Sequence, residues 1–168
     1  MLEKLTDLFK NEAIQDIYLL GFVDIENRKA NFSPDMRCYY FEFGDQYIEL
    51  ESIEQYSKLS VRIVDSVHYK FEIDEDMFPC TTSVNQLILM DSMSAKNIVN
   101  RFVIYGLECD TADQIVCHSL QLNLENGQEL FIDPSFYYGI NIGGAEQRRF
   151  WKENLINPTI VEEIQIEV

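Results

Sequence analysis

The chain lacks most of the features that name a chemistry. It has no run of about 18 apolar residues, so it holds no transmembrane helix. Basic residues are scarce, with 13 Lys and Arg against 29 Asp and Glu, a formal charge of −16 at neutral pH. A field of that sign repels phosphate backbones and anionic bilayers, which argues against direct nucleic-acid binding and against a membrane-surface role. Histidine is limited to His68 and His118. Neither belongs to a His-Glu-x-x-His pair, and there is no Gly-x-Ser-x-Gly elbow or Walker loop. The four cysteines, Cys38, Cys80, Cys109 and Cys117, include no Cys-x-x-Cys pair of the kind zinc sites are built on. Asp74-Glu75-Asp76 lacks the spacing of an EF-hand loop. No catalytic residue, metal or cofactor is therefore expected.

Other absences bear on organisation. Gly and Pro number only 7 and 4, and no Ser/Gly-rich linker or composition shift divides the chain, which reads as a single domain over residues 1–168. Its first residues, Met1 to Asp7, carry acids where a signal peptide needs a basic start and an apolar stretch. The expectation is a cytoplasmic protein with reduced, mostly buried thiols.

What is present is an apolar pattern that changes period along the chain. Leu2, Leu5, Leu8 and Phe9 recur at helical spacing and predict a short amphipathic helix over 2–11. From Asp16 onward strand patterns dominate. The stretch 17–25 is apolar on both faces, as in a strand inside a sheet. Residues 31–35 read as loop, 38–43 and 46–51 as a hairpin about Gly44-Asp45, and 59–63 and 67–73 as strands with one wet face. Phe78-Pro79 reads as a break, and 84–90, 98–107, 115–124, 129–132 and 136–142 as further strands. Asn126-Gly127 marks a hairpin turn, 146–154 a helix stopped by Asn157-Pro158, and 160–168 a closing strand. The sum is an α+β chain, mainly an antiparallel or barrel-like sheet, with a short N-terminal and a C-terminal helix. Residues 17–64 and 102–143 share a strand–loop–hairpin pattern, with Cys38 and Cys117 at matching places, and read as a possible internal duplication.

The acids are spread over the chain, −9 in residues 1–90 and −7 in 91–168, so the charge belongs to the folded surface and not to a tail. On a strand, Tyr47, Glu49 and Glu51 share one face. Together with Glu42, Asp45 and Glu54, and with a second concentration at Glu72, Asp74 and Asp76, they form the expected binding residues. Tyr anchors among carboxylates suit a basic protein. The function this favours is a non-catalytic acidic protein-binding domain, an immunity- or inhibitor-type protein that covers a basic toxin or nuclease. The alternative is a small-molecule-binding or enzymatic β-rich domain, with a site between the two halves among Phe41, Tyr105 and Phe131. A third expectation is self-association, either a homodimer through Arg148, Arg149 and Lys152 or an assembly through the edge at 160–168.

Overall fold

The computed structural model describes residues 1–70, 77–91, 96–155 and 161–168. A helix α1 (Leu2–Asn11) is followed by β1 (Asp16–Glu26), β2 (Lys29–Phe43), β3 (Gln46–Ile53), β4 (Lys58–Val64) and β5 (Met77–Ser83). A single turn α2 (Asn85–Ile88) leads to β6 (Val99–Tyr105), β7 (Cys109–Asp110), β8 (Ile115–Cys117) and β9 (Ser119–Leu124). Then come β10 (Glu129–Phe136), β11 (Gly139–Gly143), α3 (Ala145–Asn154) and β12 (Glu163–Glu167). The strands form two antiparallel sheets, β5-β1-β2-β3-β4-β8-β7 and β11-β10-β9-β6-β12.

The alternation along each strand decides the layers. Ile17, Phe41, Ile48, Leu50 and Val61 of the first sheet share one cluster with Phe102, Ile104, Leu120, Leu122, Leu130 and Ile132 of the second. The sheets therefore face one another across a single apolar core. Helix α1 closes one end of it. Phe9 lies 5.3 Å from Phe43 of the first sheet and 5.3 Å from Phe102 of the second. Part of the far face of the second sheet is buried as well, where α3 lays Trp151 against Tyr105 and Phe131.

Several local readings are corrected by pairing partners that a single strand cannot reveal. Residues 31–35 are not loop but the start of β2, held by β1 from Asp24↔Asn31 to Leu20↔Asp35. Beyond them, residues 36–38 bulge before pairing resumes at Leu19↔Tyr39. Pro34 is tolerated because β3 pairs with β2 only from Cys38 onward. Phe78-Pro79 does not break a strand but lies in β5, which among the described residues has a neighbour on one side only. Residues 84–90 hold α2 instead of a strand. Residues 67–70 are irregular, and the rest of that expected strand, 71–73, lies outside the described residues. The run 115–124 is two strands: the chain leaves the first sheet after Cys117 and enters the second at Ser119. The run 136–142 is interrupted by a turn at Tyr137-Tyr138.

The two stretches read as a duplication fall in different sheets, as meanders β1-β2-β3-β4 and β6-β9-β10-β11. The second is interrupted by β7 and β8, which join the first sheet. Two non-glycine turns are left-handed. Asn27 and Arg28 (φ 50° and 64°) close the β1–β2 hairpin, and Glu54, Gln55 and Tyr56 (φ 48°, 58° and 66°) close β3–β4. Such residues cost of order 1 kcal/mol each.

Phe9 bridges both sheets, so Phe9→Ala is expected to lower unfolding free energy by about 3–5 kcal/mol in urea titration. Phe150→Ala, on the exposed side of α3, is expected to stay within about 0.5 kcal/mol.

Candidate protein-binding surface

The outer face of the first sheet carries the carboxylates singled out in the sequence. It is not wet. Residues 65–70 cross it, and Val67 packs on Leu20, Cys38 and Tyr40. Glu49 is only 2% exposed. It accepts hydrogen bonds from Tyr40 Oη at 2.6 Å and Lys70 Nζ at 2.7 Å, with Arg62 Nε at 3.4 Å. Glu51 accepts from Arg62 Nη2 at 2.8 Å and from Lys70 Nζ at 2.6 Å. Burial pushes the Glu49 carboxyl up, but hydrogen bonds from Lys70 and Tyr40 and the charges of Lys70 and Arg62 outweigh it, so its pKa lies below the ordinary value. For Lys70 burial pushes down, and the two carboxylates more than reverse it. Tyr40 is raised by burial and by its bond to Glu49. Among the described residues no buried side-chain N or O lacks a partner, so this network is closed on itself.

The other expected binding residues are scattered by the fold. Glu42 is half-buried and accepts from Tyr18 Oη at 3.1 Å and Tyr47 Oη at 3.3 Å. Tyr47 is half-buried among Tyr18 and Tyr40. Asp45 is exposed at the β2–β3 turn. Glu54 is exposed and paired with Lys58 at 2.7 Å. Glu72, Asp74 and Asp76 lie outside the described residues. Glu49 and Glu51 thus face this chain's own cations, while Asp45 stands in solvent.

A cleft lies next to the Gly44-Asp45 turn, with Gln46 in its lining. It has a volume of about 740 Å³ and lies between α1, the Gln46 end of β3, the Arg62–Val64 end of β4 and the loop at Ala112-Asp113. Leu8, Ile63 and Val64 give it apolar walls, and Asp7, Glu12 and Asp113 stand at its lining. The Glu12 carboxylate lies over Gly44, where an added Cβ would come within 2.9–3.1 Å of it, which brings Glu12 beside Asp45. Lys4, also in the lining, is committed to the Ala112 carbonyl at 2.8 Å. Sequence reasoning did not find this cleft. Its signal was the polar side of the first helix, Lys4, Asp7 and Asn11, whose neighbours are set only by tertiary packing.

The charge of the surface follows from where the cations go. Arg37, Lys58, Arg62, Lys70, Lys96, Arg148, Arg149 and Lys152 are each ion-paired with a carboxylate of the same chain. Those are eight of the 13 basic side chains. Asp7, Glu12, Asp45 and Asp113 have no such partner among the described residues.

The chemistry-bearing groups stay apart. Among the described residues no three His, Cys, Asp or Glu side chains cluster as metal ligands. All four cysteines are free thiols; Cys38 and Cys117 are buried, while Cys80 and Cys109 are half-exposed. Burial pushes both the Cys38 and Cys117 thiols up to about 12, far from a thiolate at neutral pH. His68 bonds Ser66 Oγ at 3.1 Å, and His118 meets Glu108 at 3.2 Å. Phe41, Tyr105 and Phe131 do not share a site: Phe41 lies in the core between the sheets, and the other two lie beneath α3. Arg148 and Lys152 of α3 are held by Glu129 at 2.8 Å and Glu163 at 2.6 Å.

Replacing the buried carboxylate, Glu49→Gln, is expected to cost about 1–3 kcal/mol at neutral pH in denaturant titration. The folded-state pKa of Glu49 is depressed, so this advantage of the wild type is full above its ordinary value of 4.5. It should shrink as pH falls through the lower folded value. Equal losses at pH 7 and pH 3 would contradict the assignment.

No protein-family model, curated protein or solved structure matches the chain.

Proposed function

We propose that the chain is a non-catalytic, acidic protein-binding domain that receives a basic protein at the cleft between α1 and the β3–β4 hairpin. The carrying observation is the distribution of charge. The chain's cations are largely consumed by its own carboxylates, and the acids left over include Asp7, Glu12 and Asp113 in the lining of a cleft partly walled by Leu8, Ile63 and Val64, with Asp45 at the adjoining turn. A lysine or arginine lays its apolar stem along such walls and its charged head at the rim. The net charge of −16 steers a basic partner towards the surface from a distance. The version favoured by sequence character is an inhibitor or immunity-type protein, with a basic toxin or nuclease as the partner. The volume of the cleft also falls in the range of small-ligand sites, which supports a second reading as a small-molecule-binding domain.

The test is affinity capture from the source organism's extract at low and high salt, followed by titration of the purified partner. A stoichiometric basic protein is expected at low salt and a weaker complex at high salt. The triple variant Asp7→Lys, Glu12→Lys, Asp45→Lys is expected to weaken binding about tenfold or more, mainly through slower association. Glu51→Gln, inside the closed network, is expected to leave it unchanged. A partner indifferent to the triple variant would refute this cleft. No protein partner, with thermal stabilisation by a small molecule, would favour the second reading.

A further inference from the structure

The first sheet is wider than the second, and part of its core-side face is exposed. Leu19 of β1 is 9% exposed and belongs to the core between the sheets. Gly21, Val23 and Ile25 continue along the same face of β1. Cross-strand register adds Phe32 of β2 and Phe78 of β5, both opposite Val23, and Ala30 opposite Ile25. Three of these side chains are exposed, Phe32 at 38%, Phe78 at 56% and Ile25 at 55%, whereas Leu19 is buried. The Phe32 ring packs against Gly21, where an added Cβ would come within 2.6 Å of it. The core-side face of the first sheet thus runs on, exposed at Phe32, Ile25 and Phe78, into a three-stranded arm.

The inner end of the arm meets a second exposed apolar element. The β10–β11 turn presents Tyr137 and Tyr138 at 79% and 67% exposure. Gly139, immediately after the turn, abuts the Met36 carbonyl so closely that a Cβ there would stand 2.3 Å from it. Asp133 fixes the approach to the turn through Ser135 N at 2.9 Å and Gln147 Nε2 at 2.7 Å. Large exposed apolar side chains clustered on a chain of such high net charge mark an interface.

The charges argue for the occupant. Residues 21–37 carry Asp24, Glu26 and Asp35 against Arg28, Lys29 and Arg37, and 77–83 carry none. The arm is neutral on a molecule of −16. A basic protein gains nothing electrostatic on it, whereas a second copy meets no net charge of its own sign on residues 21–37 and 77–83. The tip also holds both signs, Glu26 beside Arg28 and Lys29, none of them ion-paired among the described residues. Two arms related by a twofold axis can satisfy one another. Pro79, which has no N–H, lies in β5, the last strand of the sheet among the described residues, and a proline there disfavours strand addition relative to contact through the face.

We propose that the chain self-associates as a twofold dimer through the core-side face of this arm. The contact is independent of the cleft beside α1, and its salt response has the opposite sign. Each copy brings its full negative charge, and the acids Glu72, Asp74, Glu75 and Asp76 precede β5 in the chain. Screening should therefore tighten the dimer, whereas it loosens a complex with a basic protein.

The experiment is analytical ultracentrifugation of the full chain over a concentration series at low and high salt. Wild type is expected to shift from monomer to dimer with concentration, and at lower concentration in high salt. Phe78→Glu and Ile25→Glu are each expected to raise the dissociation constant at least tenfold. Phe150→Glu, exposed on α3, should not. Thermal melts of each variant separate lost association from lost folding; Ile25→Glu, at 55% exposure, gives a second route if Phe78→Glu unfolds. A monomer at every concentration and salt overturns the proposal. So does a dimer that survives both substitutions, or an arm whose substitution abolishes capture of a basic protein and leaves self-association intact.

Discussion

Two sheets of unequal width share one core, and a five-stranded layer leaves part of a seven-stranded layer exposed. Most of the molecule's irregular features answer that mismatch. Helix α1 fills the end of the core with Phe9, which touches an aromatic from each sheet. Val84 and Leu89, flanking the single turn α2, reach the same core. Where neither reaches, the apolar face of β1, β2 and β5 continues into solvent. The exposed aromatics at that end are therefore a continuation of the core pattern and not scattered surface residues.

The same economy of contacts governs charge. A sheet face lined by Tyr40, Glu49, Glu51 and Arg62 stays wet unless its charges are matched. Lys70, carried over the face by residues 65–70, matches them, and Val67 brings an apolar group down with it. The pair Lys70–Glu49 thus holds a segment that has no strand partner of its own. Because so many other cations are committed in the same way, the chain's negative charge is left to positions such as Asp7, Glu12 and Asp45.

The sequence shows elements that carry their own signal and hides those set by distant partners. Helix α1, the β2–β3 hairpin and α3 are legible from periodicity and turn chemistry alone. The strand identity of 31–35 depends on β1 supplying a register, and a Ser-Pro-Asp stretch without that partner reads as loop. At Cys117–Ser119 the apolar pattern runs on without interruption, so nothing local announces that the chain changes sheets. Site residues suffered similarly. Alternation correctly places Tyr47, Glu49 and Glu51 on one face. It does not say that residues 65–70 lie over that face, because that contact joins stretches about 20 residues apart through side chains alone. The cleft beside α1 draws on residues from both ends of a span of more than 100 positions, and no window of sequence contains it.

The change of sheets at His118 has a consequence for the order of events during synthesis. The first four strands form a meander that local pairing can complete early, but β4 then ends it with an open edge. Its partner β8 lies about 50 residues later, and the second sheet's β6 emerges in between. Until Ile115–Cys117 leaves the ribosome, a nascent chain holds a bare strand edge beside a half-built apolar face, the condition in which strands recruit the wrong neighbour. Once β8 has paired with β4, the very next residues begin β9, so closing one sheet positions the strand around which the other assembles.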